Sequence, residues 1–195
     1  VQDEFGQTGQ GVFSFQIEGV NDAPIAVANT NEVPENGAID LAAASSVLGD
    51  DADVDGDALT VSSIRTGNVA ATNGAQGEIG STLVGAYGVL TLNADGQYSY
   101  ATTASAVDGL AAGATAVDVF TYTITDGALS ASAELLITVT GVNDAPIAVA
   151  NANAVLENGV IDLAAVSSVL GDDVDAEGDA LTVSSIRTGN VAATN

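Results

Sequence analysis

Apolar and polar residues alternate through most of the chain, and a period of two marks strands rather than helices. The clearest run is 117–125, where Phe120, Tyr122 and Ile124 fall on one face and Thr121, Thr123 and Thr125 on the other. The same alternation predicts strands at 25–31, 38–43, 58–64, 89–93, 97–101 and 133–140. Asp95-Gly96 and Asp126-Gly127 have the chemistry of tight hairpin turns, which assigns both aspartates to turn formation. The Ala- and Gly-rich stretch 104–114 reads as a short helical turn. Seven strands with turns between them predict an all-β fold, a β-sandwich.

The pattern recurs along the chain. Residues 21–73 and 143–195 align without gaps and differ at eight positions (30, 32, 34, 38, 44, 52, 54 and 55), the second copy lying 122 positions after the first. A unit of that length is domain-sized, far beyond the roughly 20–50 residues of solenoid repeats, so the arrangement is an array of globular modules. Each copy opens on Gly-Val-Asn-Asp-Ala-Pro, at 19–24 and 141–146, where Pro24 and Pro146 hold their predecessors extended and stiffen the connection. One full module is expected at 21–142. Residues 12–20 match 134–142 in pattern, with Phe13, Phe15 and Ile17 where Leu135, Ile137 and Val139 stand, so 1–20 is expected to be the last strand of a preceding module. Residues 143–195 are expected to be the first half of a following one, unable to close its own core. The frame is that of a window on a longer tandem array, with strands donated by identical subunits as the rival reading.

Charge narrows the choice of partner. The net charge is −24, with Arg65 and Arg187 the only cationic side chains. Such a chain repels nucleic acid and anionic lipid, and no stretch approaches the roughly 18 apolar residues of a membrane span. Nucleic-acid binding and membrane insertion are therefore excluded as expectations. Hydrophobic residues at 47% argue against disorder. With no Cys there are no disulfides, and with neither His nor Cys there is no ordinary zinc site and no thiol or Ser-His chemistry. The absence of His, Lys and Cys leaves little to tune a pair of carboxylates for glycoside hydrolysis, so the protein is expected not to be an enzyme. Without Lys, a Lys–Asn amide cross-link is also impossible, and metal ions are the remaining staple. The first residues, VQDEFGQTGQ, lack the basic start and apolar run of a signal peptide. An export signal then lies elsewhere, or the chain is part of something longer.

The acidic residues concentrate in one twice-repeated block, GDDADVDGDALTVSSI at 49–64 and GDDVDAEGDALTVSSI at 171–186. Asp51, Asp53, Asp55 and Asp57 alternate with small residues, matched by Asp173, Asp175, Glu177 and Asp179. Like charges at that density repel, and a hard divalent cation with oxygen ligands relieves the repulsion. The spacing reproduces the opening half of an EF-hand loop, but Ser62 stands where the bidentate Glu belongs and the flanks are strands, so an EF-hand is rejected. A solvated acidic turn is the competing account.

Strand length indicates what else joins the cation. The 11 residues from Pro24 to Glu35, at about 3.3 Å each, span roughly 35 Å, one domain length. Glu35 then sits at the far end of the module beside the next linker, and the return strand brings the acidic loop back beside Asn21 and Asp22. By this count the junction gathers Glu35, Asn143 and Asp144 with Asp173, Asp175, Glu177 and Asp179, and either Asp108 or Asp118 reaches the same end. Glu157 is the second-copy equivalent of Glu35; for both, a plain turn residue beside Asn-Gly is the alternative. Arg65 and Arg187 are expected to pair with a nearby carboxylate.

In combination, the linker GVNDAP, the loop DADVDGDALT, the hairpin GVLTLNADGQYSY and the segment VDVFTYTITDGALSASAELLITVTGVNDAP make the chain resemble bacterial cadherin-like repeats of the VCBS type over nearly all its length. The resemblance implies Ig-like or cadherin-like β-sandwich modules in tandem, a place in a large secreted RTX-type adhesin exported by type I secretion, and Ca2+ as the bound ion. It also implies that a Pro-Glu motif, a linker and an Asp-x-Asp loop share ions at each junction. The linker departs from the cadherin pattern Asp-x-Asn-Asp-Asn and offers fewer oxygen ligands, and the glycine-rich nonapeptide calcium repeat is absent. The expected function is a structural repeat segment of an extracellular adhesin or fibre, stiffened by calcium, whose partners are neighbouring repeats or identical subunits. A module that binds a glycan or cell-surface receptor directly, or a filament subunit assembled by strand complementation, are the alternatives. The absence of Trp and the placement of most Phe and Tyr in strand interiors weigh against a glycan platform.

Overall fold

The computed structural model describes residues 1–40, 46–160 and 169–188. Among these, nine strands form: β1 (Asn29–Pro34), β2 (Ala38–Ile39), β3 (Thr60–Thr66), β4 (Gln76–Gly77), β5 (Thr82–Val84), β6 (Gly88–Leu92), β7 (Tyr98–Thr102), β8 (Thr115–Thr125) and β9 (Ser130–Thr140). One helical turn, α1 (Ala104–Val107), falls inside the Ala- and Gly-rich stretch. The strands build a five-stranded sheet in the order β1-β9-β8-β3-β4 and a four-stranded sheet in the order β2-β7-β6-β5. Their inner faces share one core, in which Phe120, Tyr122 and Ile124 of β8 and Leu135, Ile137 and Val139 of β9 are fully buried with Leu90, Leu92 and Tyr100. The fold is an all-β sandwich, as the alternation predicts.

The β8–β9 hairpin is the longest element, pairing in register from Thr115–Thr140 to Thr125–Ser130. Its turn follows from its sequence. Asp126 Oδ1 accepts the N–H groups of Ala128 (2.6 Å) and Leu129 (2.7 Å), and Gly127 takes φ +102°, a conformation that other residues resist.

The decisive pairing is between the first and last strands. β1 runs parallel to β9, with Asn29 opposite Leu135 and Pro34 opposite Thr140. The chain therefore enters the sandwich at one end and leaves at the other. The ladder continues one step beyond β1, where the Glu35 N–H donates to Thr140 O at 2.8 Å. Pro34 is tolerated because β1 is an edge strand, where a missing donor costs nothing.

Several expectations are corrected. The strand predicted at 25–31 begins only at Asn29 and runs on to Pro34; Ile25 is held by an isolated bridge to Ala52. The strand predicted at 58–64 is displaced to Thr60–Thr66, where it pairs with β8 across a bulge between Val61 and Ser63. Of the strand at 38–43, Ala38–Ile39 forms and 41–43 lies outside the described residues. Strands β4 and β5 were not anticipated, since two or three residues beside glycines carry no readable alternation. Thr121 is not outward-facing in effect: it is 3% exposed because the segment from Gly67 covers it, and its hydroxyl donates to Gly67 O at 2.7 Å. The Arg65 guanidinium binds the carbonyls of Thr66 (3.3 Å) and Val69 (3.0 Å) rather than a carboxylate, and Arg187 is exposed. No strand forms at 12–20, where Phe13, Phe15 and Ile17 are 87%, 83% and 92% exposed. The strand they resemble, β9, is held between β1 and β8, and residues 12–20 have neither neighbour.

Asp118 is also reassigned. It does not reach the acidic end; it is 3% exposed in the core, and its carboxylate accepts the N–H groups of Ala86 (2.6 Å) and Tyr87 (3.0 Å) and the Tyr100 hydroxyl (2.6 Å). This ties the β5–β6 turn of one sheet to β8 of the other. Burial, and then Asp118 itself, push the Tyr100 hydroxyl above its ordinary range, which keeps it a donor. Asp118→Ala strands three donors and is expected to cost about 3–5 kcal/mol in urea unfolding, whereas Tyr100→Phe costs about 1–2 kcal/mol.

Candidate metal centre

The parallel β1–β9 pair carries Glu35 to the exit of the sandwich. There it is 2% exposed, and neither carboxylate oxygen has a hydrogen-bond partner. An unpartnered buried charge costs several kcal/mol, and the neighbours of this one make matters worse. One oxygen each of Glu35, Asp144 and Glu177 lie within 4.8 Å of one another. Bare charges that close repel by roughly 3–4 kcal/mol per pair at an effective dielectric constant of about 20. Burial is the main force raising the Glu35 carboxyl above its ordinary 4.5; the Val142 N–H, near but outside hydrogen-bond geometry, draws it down, and Asp144, Glu177 and Asp108 push it up again.

Each member arrives by its own route. Asn36, at φ +59°, turns the chain immediately after Glu35, closed by the Gly37 N–H on Pro34 O at 3.1 Å. Asp108 follows α1, in a loop folded tightly over the exit: the Gly141 N–H donates to Ala114 O (2.8 Å) and the Gly113 N–H to Gly141 O (2.9 Å). A Cβ on Gly141 would meet Leu110 O at 2.5 Å, so this close approach requires glycine. Asp144 lies on the linker, and its N–H donates to Glu177 Oε1 at 3.0 Å, which fastens the second acidic loop to it. Glu177 Oε2 is buried without a partner. A cleft of about 340 Å³ opens beside the cluster, lined by Asn36, Asp108, Asp144 and Asp175.

The other predicted ligands shape the loops more than they fill the cluster. Asp173 Oδ1 caps the Val149 N–H (2.7 Å), Asp175 Oδ1 accepts the Asp179 N–H (2.9 Å), and Asn143 turns back to Asp144 O (2.9 Å). Asp179 is exposed, and Glu157 is exposed in a turn; neither belongs to the Glu35–Asp144–Glu177 group. In the first copy, Asp51 Oδ1 caps the Val27 N–H (2.7 Å), Asp53 Oδ1 accepts the N–H groups of Asp55 (2.9 Å) and Asp57 (3.2 Å), and Asp55 Oδ2 accepts the Asp22 N–H (2.8 Å). Asp57 is exposed. The second oxygens of Asp51 and Asp53 are buried and unpartnered, like those of the exit cluster. Burial raises the Asp51 carboxyl above its ordinary 3.8, against the Val27 N–H and with Asp50. Three participants escaped the sequence reading. Asp50 and Asp172 accept from Asn29 (3.2 Å) and Asn151 (2.9 Å), and Asp126, besides making its turn, accepts from Asn21 at 2.9 Å. The duplication of Asp50 in both copies was the available signal for the first two.

The donor set fits a hard cation. Every candidate group at the exit is a carboxylate oxygen, and calcium–oxygen distances of about 2.3–2.6 Å put two ligands of one ion at most about 5 Å apart. The 4.8 Å limit of the Glu35–Asp144–Glu177 group lies inside that span. The spacing of these three carboxylates is thus compatible with a single calcium ion.

A sandwich of two sheets, entered and left at opposite ends, with carboxylates gathered at the exit, defines a cadherin-like module. Residues 21–141 match the sequence model of the bacterial cadherin-like domain, and the chain belongs to that family. Membership suggests an adhesive or structural role and an extracellular place. Among the described residues no helix is long and apolar enough to cross a membrane. No curated protein matches the chain. Among solved structures, an endo-fucoidan hydrolase, MfFcnA4 from glycoside hydrolase family 107, is similar at 22% identity and a TM-score of 0.30, over 65% of this chain and 15% of that one. A substituted form of the same hydrolase gives 22% identity and a TM-score of 0.32 over 72% and 18%. The chain thus spans less than a fifth of each hydrolase. The expectation that the protein is no enzyme is withdrawn against these matches, since both similar chains are hydrolases; likeness at this level assigns no catalytic residue here.

The raised pKa of Glu35 has a definite sign. A carboxyl raised in the folded state contributes stability in full below its ordinary value, about 4.5, and that stability is lost as pH rises through the raised one. Asp51 acts in the same direction from 3.8 upward. Asp126 is lowered, first by the Leu129 N–H and then by Asn21, so its contribution is lost only as pH falls below its ordinary 3.8. In chelator, the unfolding midpoint is expected to fall as pH rises from about 4.5 to 7, and Glu35→Gln is expected to flatten much of that fall; a midpoint that climbs in both proteins contradicts the assignment.

Proposed function

We propose that this chain is a structural repeat segment of a large extracellular bacterial adhesin or fibre, stiffened by calcium held where one module meets the next. The single observation that carries the reading is Glu35, buried at the module's exit with both oxygens unpartnered and facing two further carboxylates. Glu35, Asp144 and Glu177 would hold the ion, with Asp108 and Asp175 beside them at the cleft. Calcium supplies positive charge and oxygen coordination there; the chain supplies a preset cage. On this reading residues 21–142 are one module, 143–195 begin the next, and 1–20 end the one before. The sequence relation to VCBS-type tandem repeats supports that division and export by type I secretion. Partners are then neighbouring repeats of the same chain or identical subunits, with no role for nucleic acid or membrane insertion at this net charge.

Rigidity follows from the same groups. Without a cation, mutual repulsion pushes the linker and second loop away from the exit; with one, the same carboxylates draw both together. Bound states of this kind stabilise by mass action. With extracellular-type affinities of about 0.1–1 mM, 10 mM calcium is expected to add about 1.5–3 kcal/mol and raise the melting temperature by about 5–10 °C over chelator. Glu35→Gln is expected to remove most of that increment. Superimposable melting curves in calcium and chelator for the unsubstituted chain would sink the proposal.

A further inference from the structure

The two copies of the acidic loop are the same object in two settings. In each, one residue bridges across the loop mouth: Ile25 to Ala52 (2.7 and 3.1 Å) and Ile147 to Val174 (2.8 and 3.1 Å). An aspartate caps Val27 or Val149 at 2.7 Å, and Gly56 and Gly178 turn at φ +81° and +80°. With the frame equal, the acidic groups differ at a single place, where Asp55 in the first copy is Glu177 in the second.

That change lengthens the side chain by one methylene, and the second loop also has Glu35 beside it, which the first does not among the described residues. Asp55 Oδ2 accepts the Asp22 N–H at 2.8 Å, and the side chain is exposed. Glu177 makes the equivalent bond, Oε1 accepting the Asp144 N–H at 3.0 Å, while Oε2 is buried without a partner. Glu177 also comes within 4.8 Å of Glu35 and Asp144, and Glu35 is itself 98% buried with both oxygens free. The other differences in the loop, Val174 and Ala176, line the adjoining cleft but bring no side-chain oxygen.

We propose that Glu177 is the affinity-setting residue of this junction: one oxygen locks the linker, and the added methylene delivers the other to a hard divalent cation shared with Glu35. The proposal rests on the calcium reading of the exit cluster and adds to it a division of labour within one side chain. An aspartate at 177 is expected to keep the lock, as Asp55 does with the Asp22 N–H, and, one methylene shorter, to reach less far toward Glu35. The choice of Asp or Glu at this position then grades how firmly a junction is held.

The test is calcium titration calorimetry on the whole 195-residue chain, with hydrogen exchange at the Asp144 amide as the second readout. Glu177→Asp is expected to keep the Asp144 amide protected and weaken the junction ion roughly tenfold, on the scale of a disturbed metal shell. Asp55→Glu, in the first copy, is expected to leave that ion unchanged. If Glu35→Gln does not alter the isotherm, the calcium reading itself fails. If Glu35→Gln removes one ion while Glu177→Asp binds as tightly as the unsubstituted chain, only the role of Glu177 is overturned. Loss of Asp144 protection in calcium-saturated Glu177→Asp also overturns it, because the effect then lies in the linker.

Discussion

Parallel pairing of β1 with β9 is the constraint on which the remainder of the molecule depends. Antiparallel pairing of the first and last strands would bring both termini of the module to one end. The parallel register, with Pro34 beside Thr140, sends them to opposite ends and places the residue after β1 against the departing chain. Glu35 is held there by its own backbone bond to Thr140 O, so its burial is not a matter of side-chain choice. A carboxylate fixed in that position must find positive charge or remain a standing cost to the fold.

Among the described residues two carboxylates are deeply buried, and the fold treats them in opposite ways. Asp118 receives two backbone N–H groups and a tyrosine hydroxyl, a full complement that lets it serve as a tie between sheets. Glu35 has only the weaker pull of the Val142 N–H, which falls short of hydrogen-bond geometry, and is surrounded by Asp108, Asp144 and Glu177. The contrast separates a satisfied acid from an unsatisfied one more sharply than burial alone, since both are less than 4% exposed.

The acidic loops follow a related rule. In most of their carboxylates one oxygen is committed to a backbone N–H and shapes the turn, and in Asp51, Asp53 and Glu177 the other is left buried and free. Folding thus fixes these free oxygens in place through the backbone bonds of their partners. The second loop reaches this geometry although residues 151–160 beside it are exposed and carry no strand. Its shape comes from hydrogen bonds within the linker and loop, and Glu35 of the sandwich stands beside it.

Periodicity alone determined the all-β class and the central hairpin, because a strand buried on one face must alternate regardless of which neighbour it finds. The turns at Asp95 and Asp126 and the duplicated acidic loop were equally legible, being set by local chemistry. Parallel pairing was not: strands alternate alike in either direction, and nothing local to Asn29–Pro34 names β9 as its partner. The same holds for the division between Asp118 and Asp108, two aspartates with similar neighbours, one drawn into the core and the other delivered to the exit by the loop after α1. Residues 12–20 carry the alternation of a strand and form none, since a strand exists only where another backbone completes its hydrogen bonds. Which carboxylates meet at the exit was decided by long-range register, which is a property of the packed sheets and not of any single segment.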